Sequence, residues 1–170
     1  MCGRFIRTSP RAAIRDAFGL DPPPDLDLAP RYNVCPGEEV VVLATRPDGE
    51  RRIGRLRWGL VPAFAESPTS GPRAINARAE TILARPAFRD AFRRRRCLVV
   101  TDGFYEWRRE GTTKTPYLLY LRSRRPFAFA GIWERWRSPA GETLASCAII
   151  TCPPNPLVAP IHDRMPVILP

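Results

Sequence analysis

Lysine is nearly missing from this chain: Lys114 is the single example among 27 basic residues, and histidine is represented only by His162. One histidine, and cysteines with no C-x-x-C pair, leave too few ligands at metal spacing for a zinc centre; Cys147 and Cys152 are spaced too loosely. The five cysteines, Cys2, Cys35, Cys97, Cys147 and Cys152, are odd in number and unpatterned, which excludes a disulfide framework. No apolar run approaches the roughly 18 residues of a membrane span. Arg4, Arg7 and Arg11 interrupt any signal-peptide core. The expected setting is the cytoplasm, with no membrane partner, no metal and no cofactor.

What the chain has instead is arginine. The formal net charge is +10. A planar guanidinium can bond two phosphate oxygens at once, so this excess favours a polyanionic partner, with solvated surface as the bland alternative. The length of 170 residues suits one domain, 1–170, with a sizeable core. There is no internal repeat and no second domain boundary.

Ser9 and Pro10 predict a helix start, with Ser9 as cap and Pro10 in the first turn; Ile14, Ala17 and Phe18 give it one apolar face up to Gly19. Asp21 to Pro30 carries four prolines and reads as a surface loop, and Tyr32 to Gly37 reads as a turn. Glu39 to Thr45 predicts a strand, joined through Arg46-Pro47-Asp48-Gly49 into a hairpin with Arg51 to Trp58. In the second strand Leu56 and Trp58 alternate with Arg55 and Arg57. Ala65 to Arg73 reads as a mobile loop. Ile75 to Thr81 leads toward a short helix ending near Arg85, and Pro86 opens another helix with Phe88, Ala91 and Phe92 on one face. Cys97–Thr101, Phe104–Trp107, Pro116–Arg122, Phe127–Arg135 and Thr143–Thr151 predict further strands, and Pro153, Pro154 and Pro156 break the chain afterwards. The expected class is α+β, mainly antiparallel β: a compact, barrel-like sheet with peripheral helices.

Five residues stand out chemically. Cys2 follows the initiator Met, and a small second residue permits removal of that Met. The product is a 1,2-aminothiol, whose amine condenses with an aldehyde and whose thiol then closes a five-membered thiazolidine. An α-amine titrates near 7.7–8.0, so a useful fraction is nucleophilic at neutral pH. Its ordinary alternative is a cysteine on a frayed terminus. Glu106 lies in Phe104-Tyr105-Glu106-Trp107, where partial desolvation would raise its pKa and suit it to proton transfer; otherwise it is an edge residue in solvent. His162 lies in an irregular, Pro-flanked segment, where functional residues often sit; it can equally be a packed or surface histidine. Asn76 can orient a reacting group or cap a helix, and Arg78 can hold a phosphate or be a solvated charge.

Taken together, Met-Cys-Gly-Arg-Phe at the start, Tyr32-Asn33 with Pro36, Trp58-Gly59-Leu60-Val61-Pro62, Asn76 to Thr81, Asp102 to Trp107, Phe129 to Glu134 and His162-Asp163-Arg164-Met165-Pro166, in this order, resemble the SRAP family, the SOS-response-associated peptidase domain. The resemblance covers essentially the whole chain. It implies a mainly β domain that binds single-stranded DNA containing abasic sites and crosslinks to the deoxyribose aldehyde through its N-terminal cysteine. By position it implies Cys2 as nucleophile, Asn76, Glu106 and His162 as active-site residues, and Arg4, Arg78, Asn33, Trp58 and Arg164 as the DNA-facing set. It further implies a role in DNA repair near the nucleoid; a monomer is the default expectation. Departures from the family pattern fall at Cys35, Phe64, Val100-Thr101 and Cys152, none of them among those four active-site residues, and the family's domains usually continue past Leu169. A cysteine peptidase built on Cys2, His162 and Glu106 is the alternative activity. A non-covalent single-strand binding module is a third reading.

Overall fold

The computed structural model describes residues 2–46, 48–69 and 74–169. Met1, Pro47 of the expected hairpin turn, 70–73 of the expected loop and Pro170 lie outside the described residues. Twelve strands and two helices follow one another: β1 (Arg4–Arg7), α1 (Arg11–Phe18), β2 (Arg31–Val34), β3 (Glu39–Thr45), β4 (Arg51–Trp58), β5 (Asn76–Arg78), α2 (Pro86–Arg94), β6 (Arg96–Thr101), β7 (Gly103–Glu110), β8 (Thr113–Leu119), β9 (Phe127–Arg137), β10 (Thr143–Cys152), β11 (Met165–Pro166) and β12 (Ile168–Leu169).

Five of them close on themselves in the order β10-β4-β3-β6-β9, because β9 and β10 also pair along Gly131 to Arg137. This is the barrel the strand-rich sequence calls for. Its ladders are antiparallel except where β10 runs parallel to β4 and to β5, a crossover that residue pattern does not reveal. The expected β3–β4 hairpin forms, with Glu39 opposite Arg57 and Thr45 opposite Arg51, and Gly49 in its turn takes a φ of 85° that favours glycine. The four-stranded sheet β2-β1-β7-β8 packs against one end of the barrel.

Alternation explains the core. Val40, Val42, Val99, Phe127, Phe129 and Ile149 point into the barrel, where they meet Phe5 and Phe104 from the four-stranded sheet. Phe129 takes edge-on contacts from Phe5, Phe104 and Phe127, with ring centroids 5.7–5.8 Å apart. Phe5 therefore fixes β1, and with it the start of the chain, against the barrel.

Several local expectations are corrected. Ser9 does not cap α1: Pro10 takes the cap position, and the Ser9 hydroxyl donates to the carboxylate of Asp102 instead. Arg31–Val34 is an edge strand rather than a turn, held by its pairing with β1. Asn76 opens a strand rather than capping a helix, and the helical stretch after it is one 3-10 turn, Ala79–Thr81. The segment after Pro156 adds two short strands, β11 on β10 and β12 on β9.

Asp102 is the latch between β1 and the β6–β7 corner. It accepts the backbone N–H groups of Thr8 and Ser9 as well as the Ser9 hydroxyl, while its own N–H donates to the Ile6 carbonyl at 3.0 Å. Asp102→Ala removes an ionised acceptor from three donors. It should lower stability by about 2–4 kcal/mol, read as a reduced urea midpoint at unchanged slope.

Candidate active site at the start of the chain

Cys2 is not frayed. It is fully buried, immediately before β1, and its carbonyl accepts a hydrogen bond from Asn76 Nδ2 at 3.1 Å. Burial pushes its thiol well above the ordinary range, and the charge of Glu106 pushes the same way. Asn76 reaches Cys2 because β5 runs parallel beside β10, Asn76 opposite Ile149. Its Oδ1 is buried and has no hydrogen-bond partner among the described residues. An acceptor is thus left beside the Cys2 backbone, available to an amine or a hydroxyl.

Glu106 is brought to the same place by the β1–β7 ladder, which pairs Arg4 with Tyr105. It is 1% exposed. Tyr105 and Trp107 flank it in sequence but belong to the other face of the strand. Its desolvation comes from the barrel side, the face shared with Phe104, and not from its aromatic sequence neighbours. Burial raises its pKa, against the lowering effect of nearby positive charge that includes His162.

His162 ends an irregular turn whose start is held by Asn155, with the His162 N–H donating to Val158 O at 3.0 Å. Its Nδ1 lies 3.0 Å from the backbone N–H of Arg164, which donates to it. Nε2 faces Glu106 Oε2 at 3.9 Å, a separation that a bridging hydroxyl or water can span. Asp163 Oδ1 lies 2.9 Å from the same Nδ1. The His162 side chain is 26% exposed against 2% for Glu106, so the site opens to solvent on the histidine side. One buried carboxyl, one accessible imidazole and one amide thus converge on the start of the chain, a set able to move protons at an electrophile held there.

The DNA-facing set divides. Arg4 is exposed, and its guanidinium donates to Asn33 Oδ1 at 2.9 Å, which orients it on the outer face of β1. Arg78 is exposed at the end of β5. Trp58 is a correction: it is fully buried against Phe5, and its indole N–H donates to Ile75 O at 2.9 Å, so it offers no face to a base. Arg164 has a side chain 13% exposed that forks onto both oxygens of the half-exposed Glu80 at 2.9 and 3.0 Å and donates to Thr151 O at 2.8 Å, which braces the His162 loop against β10. The sequence reading missed this brace and the closeness of Asp163 to Nδ1; the adjacency His162-Asp163-Arg164 was the available signal.

No helix among the described residues is long and apolar enough to cross a membrane. Compared with known proteins, the chain matches the family "SOS response associated peptidase (SRAP)" over residues 1–170. It is 44% identical over 172 residues to the abasic site processing protein YoqW of Bacillus subtilis (strain 168), covering 99% of this chain and 76% of the relative. Identity to the abasic site processing protein YedK of Escherichia coli (strain K12) is 31% over 177 residues, covering 99% and 75%. A crystal structure of a Bordetella bronchiseptica protein superposes with a TM-score of 0.84 at 25% identity, over 99% of this chain and 84% of that one.

Proposed function

The chain belongs to the SRAP family, and from that premise we propose that it processes abasic sites in single-stranded DNA by forming a covalent thiazolidine with the lesion through Cys2, after Met1 is removed. The observation that carries this reading is the burial of Cys2 with Asn76 on its carbonyl and the buried Glu106 carboxyl near its thiol.

The chemistry balances as a condensation. The abasic sugar is a hemiacetal. A base takes the proton from its anomeric hydroxyl, an acid protonates the ring oxygen, and the aldehyde opens. His162 is placed to serve here, as the solvent-facing member that can hold or release a proton at Nε2. The neutral α-amine of Cys2 adds to C1′, and the carbinolamine loses one water to give an imine. Glu106, its pKa raised by burial, is placed to supply the proton that lets that hydroxide leave as water. The Cys2 sulfur then bonds to C1′ and the imine nitrogen gains a proton, closing the ring. A thiol kept protonated by burial is a poor first nucleophile, which favours the order amine first, sulfur second. Arg4, oriented by Asn33, and Arg78 supply phosphate contacts with the salt dependence of such binding.

The peptidase alternative draws no support from this geometry. It needs a thiolate paired with an imidazole, whereas the Cys2 thiol is pushed up and the accessible ring nitrogen faces Glu106. The separating experiment extends the chain by one Ala before Cys2 so that the amine stays blocked. With uracil-excised single-stranded DNA, intact mass spectrometry should show, for the processed parent, the sum of protein and DNA masses less one water, and for the extended protein no adduct. An adduct of undiminished yield on the blocked protein would overturn the amine's role.

A further inference from the structure

The barrel has a second end. The site described above lies where Phe5 and Phe104 cover Val40, Trp58, Phe129 and Ile149. Further along the same strands, at Ala44, Arg52, Trp133 and Ala145, a cavity of about 740 Å³ opens with no sheet across it. That volume is within the ordinary range for a small-molecule site. Its inner wall is apolar: Val42, Ala44, Leu56, Ala145 and the ring of Trp133. Its rim is cationic: Arg46, Arg52, Arg55, Arg95 and Arg135.

Two donors in this wall have no acceptor. Trp58 and Trp136 give their indole N–H groups to Ile75 O at 2.9 Å and Ala65 O at 2.7 Å, but Trp133 Nε1 is buried without a partner among the described residues. Arg95 Nε is in the same condition, although the other end of that guanidinium pairs with the buried Glu134 at 2.6 Å. A buried donor left unsatisfied is costly, and an acceptor supplied from outside relieves it. Neither donor is solvent-accessible as the rim stands, so the incoming group has to part the arginine side chains. Apart from Arg95, which Glu134 holds, those side chains are held only at the surface. Arg46 and Arg52 share Glu50 at 3.5 and 3.0 Å, Arg46 also nears Asp48 at 3.7 Å, and Arg55 nears Glu39 at 3.5 Å, all as exposed or half-exposed pairs that contribute little. Arg135 has no ion pair among the described residues.

We propose that this end of the barrel is a second binding site, for a nucleoside monophosphate unit, with the base against the apolar wall and the phosphate on the arginine rim. Three features require that class together: a flat apolar surface, an indole N–H seeking a ring acceptor, and guanidinium groups seeking a dianion. The unit is either free in solution or one residue of a strand.

The test is a titration of ¹⁵N-labelled protein with deoxyadenosine 5′-monophosphate, deoxyadenosine, deoxyribose 5-phosphate and a short oligodeoxyadenosine strand. Of the four tryptophan indole signals, the one lost in Trp133→Phe should shift with the nucleotide. Deoxyadenosine and the sugar phosphate alone should each bind about tenfold more weakly or worse. Trp133→Phe, which keeps a ring, and Arg135→Glu, which is exposed, should each weaken binding by about tenfold, and Cys2→Ser should leave it unchanged. Ala145→Leu, a plug in the cavity wall, should abolish it while thermal unfolding stays cooperative. Saturation by the free nucleotide assigns a small ligand; saturation by the strand alone assigns a strand-borne unit. The proposal is lost if nothing saturates at about 10 mM, or if the shifts fall at Asn76 and His162 instead. The independence of Cys2 keeps this outcome separate from the fate of the crosslinking reading.

Discussion

Cys2→Ser protein should give no denaturation-resistant band with abasic single-stranded DNA, yet bind the intact strand within about threefold of the parent affinity and with the same salt slope. The reason is the division of labour between two atoms of one residue. Serine keeps the α-amine, so the imine still forms. Its hydroxyl is a far weaker nucleophile than sulfur and does not close a stable ring, so the imine hydrolyses. Borohydride added during the reaction should therefore trap the serine variant covalently through the amine. The phosphate contacts of Arg4 and Arg78 are untouched, which is why affinity survives. The substitution is also mild structurally: Cys2 Sγ lies 4.0 Å from Arg4 O, and a hydroxyl can donate there too. A parent-like stable adduct from Cys2→Ser without borohydride would show that sulfur is not the atom that seals the linkage. Failure of borohydride to trap anything would remove the amine from the first step.

Much of this arrangement was legible in the sequence, and the part that was not has a common cause. Local alternation gave the β3–β4 hairpin to the residue, because its pattern and its turn agree. It also gave β6, β9 and β10 within a residue or two. Where a side chain prefers a distant partner to a local one, the reading failed. Ser9 is a good cap by type, but Asp102 competes for its hydroxyl across the fold. Asn76 was read toward a helix because Ala77 to Thr81 suit one, whereas pairing with Ile149 holds it extended. Arg31–Val34 is too short to declare itself as a strand without β1 beside it.

The site shows the same split. The four candidate residues are picked out by their types and by the family resemblance. That Cys2, Asn76, Glu106 and His162 meet depends on β1, β5, β7 and the loop after β10, elements joined only by non-local pairing. Trp58 illustrates the opposite error: the residue type suits nucleic acid, but tertiary packing turned it into core.

Glu106→Gln carries the second large effect, and it moves two observables in opposite directions. Removing the titrating carboxyl takes away a proton donor and acceptor at the imine step, so crosslinking should slow by about 10²–10⁴-fold at pH 7. Stability should rise. The carboxyl pKa is raised above its ordinary 4.5, chiefly by burial, so between 4.5 and the folded value the native state holds a proton that the unfolded chain has released. The stabilisation from this group is therefore complete below pH 4.5 and is lost as pH climbs through the folded pKa. Glutamine is neutral throughout and escapes that loss. The gain in urea midpoint over the parent should be near zero at pH 4 and grow toward neutrality, while Glu80, exposed and pulled below its ordinary range by its bond to Arg164, adds no trend of this sign. A site that weakens the fold at the pH where it reacts is what a desolvated acid–base group demands. If Glu106→Gln is instead less stable than the parent at pH 7, then the contacts of the charged carboxylate outweigh its burial. Glu106 would then be a fixed anion holding the amine, with no part in moving protons.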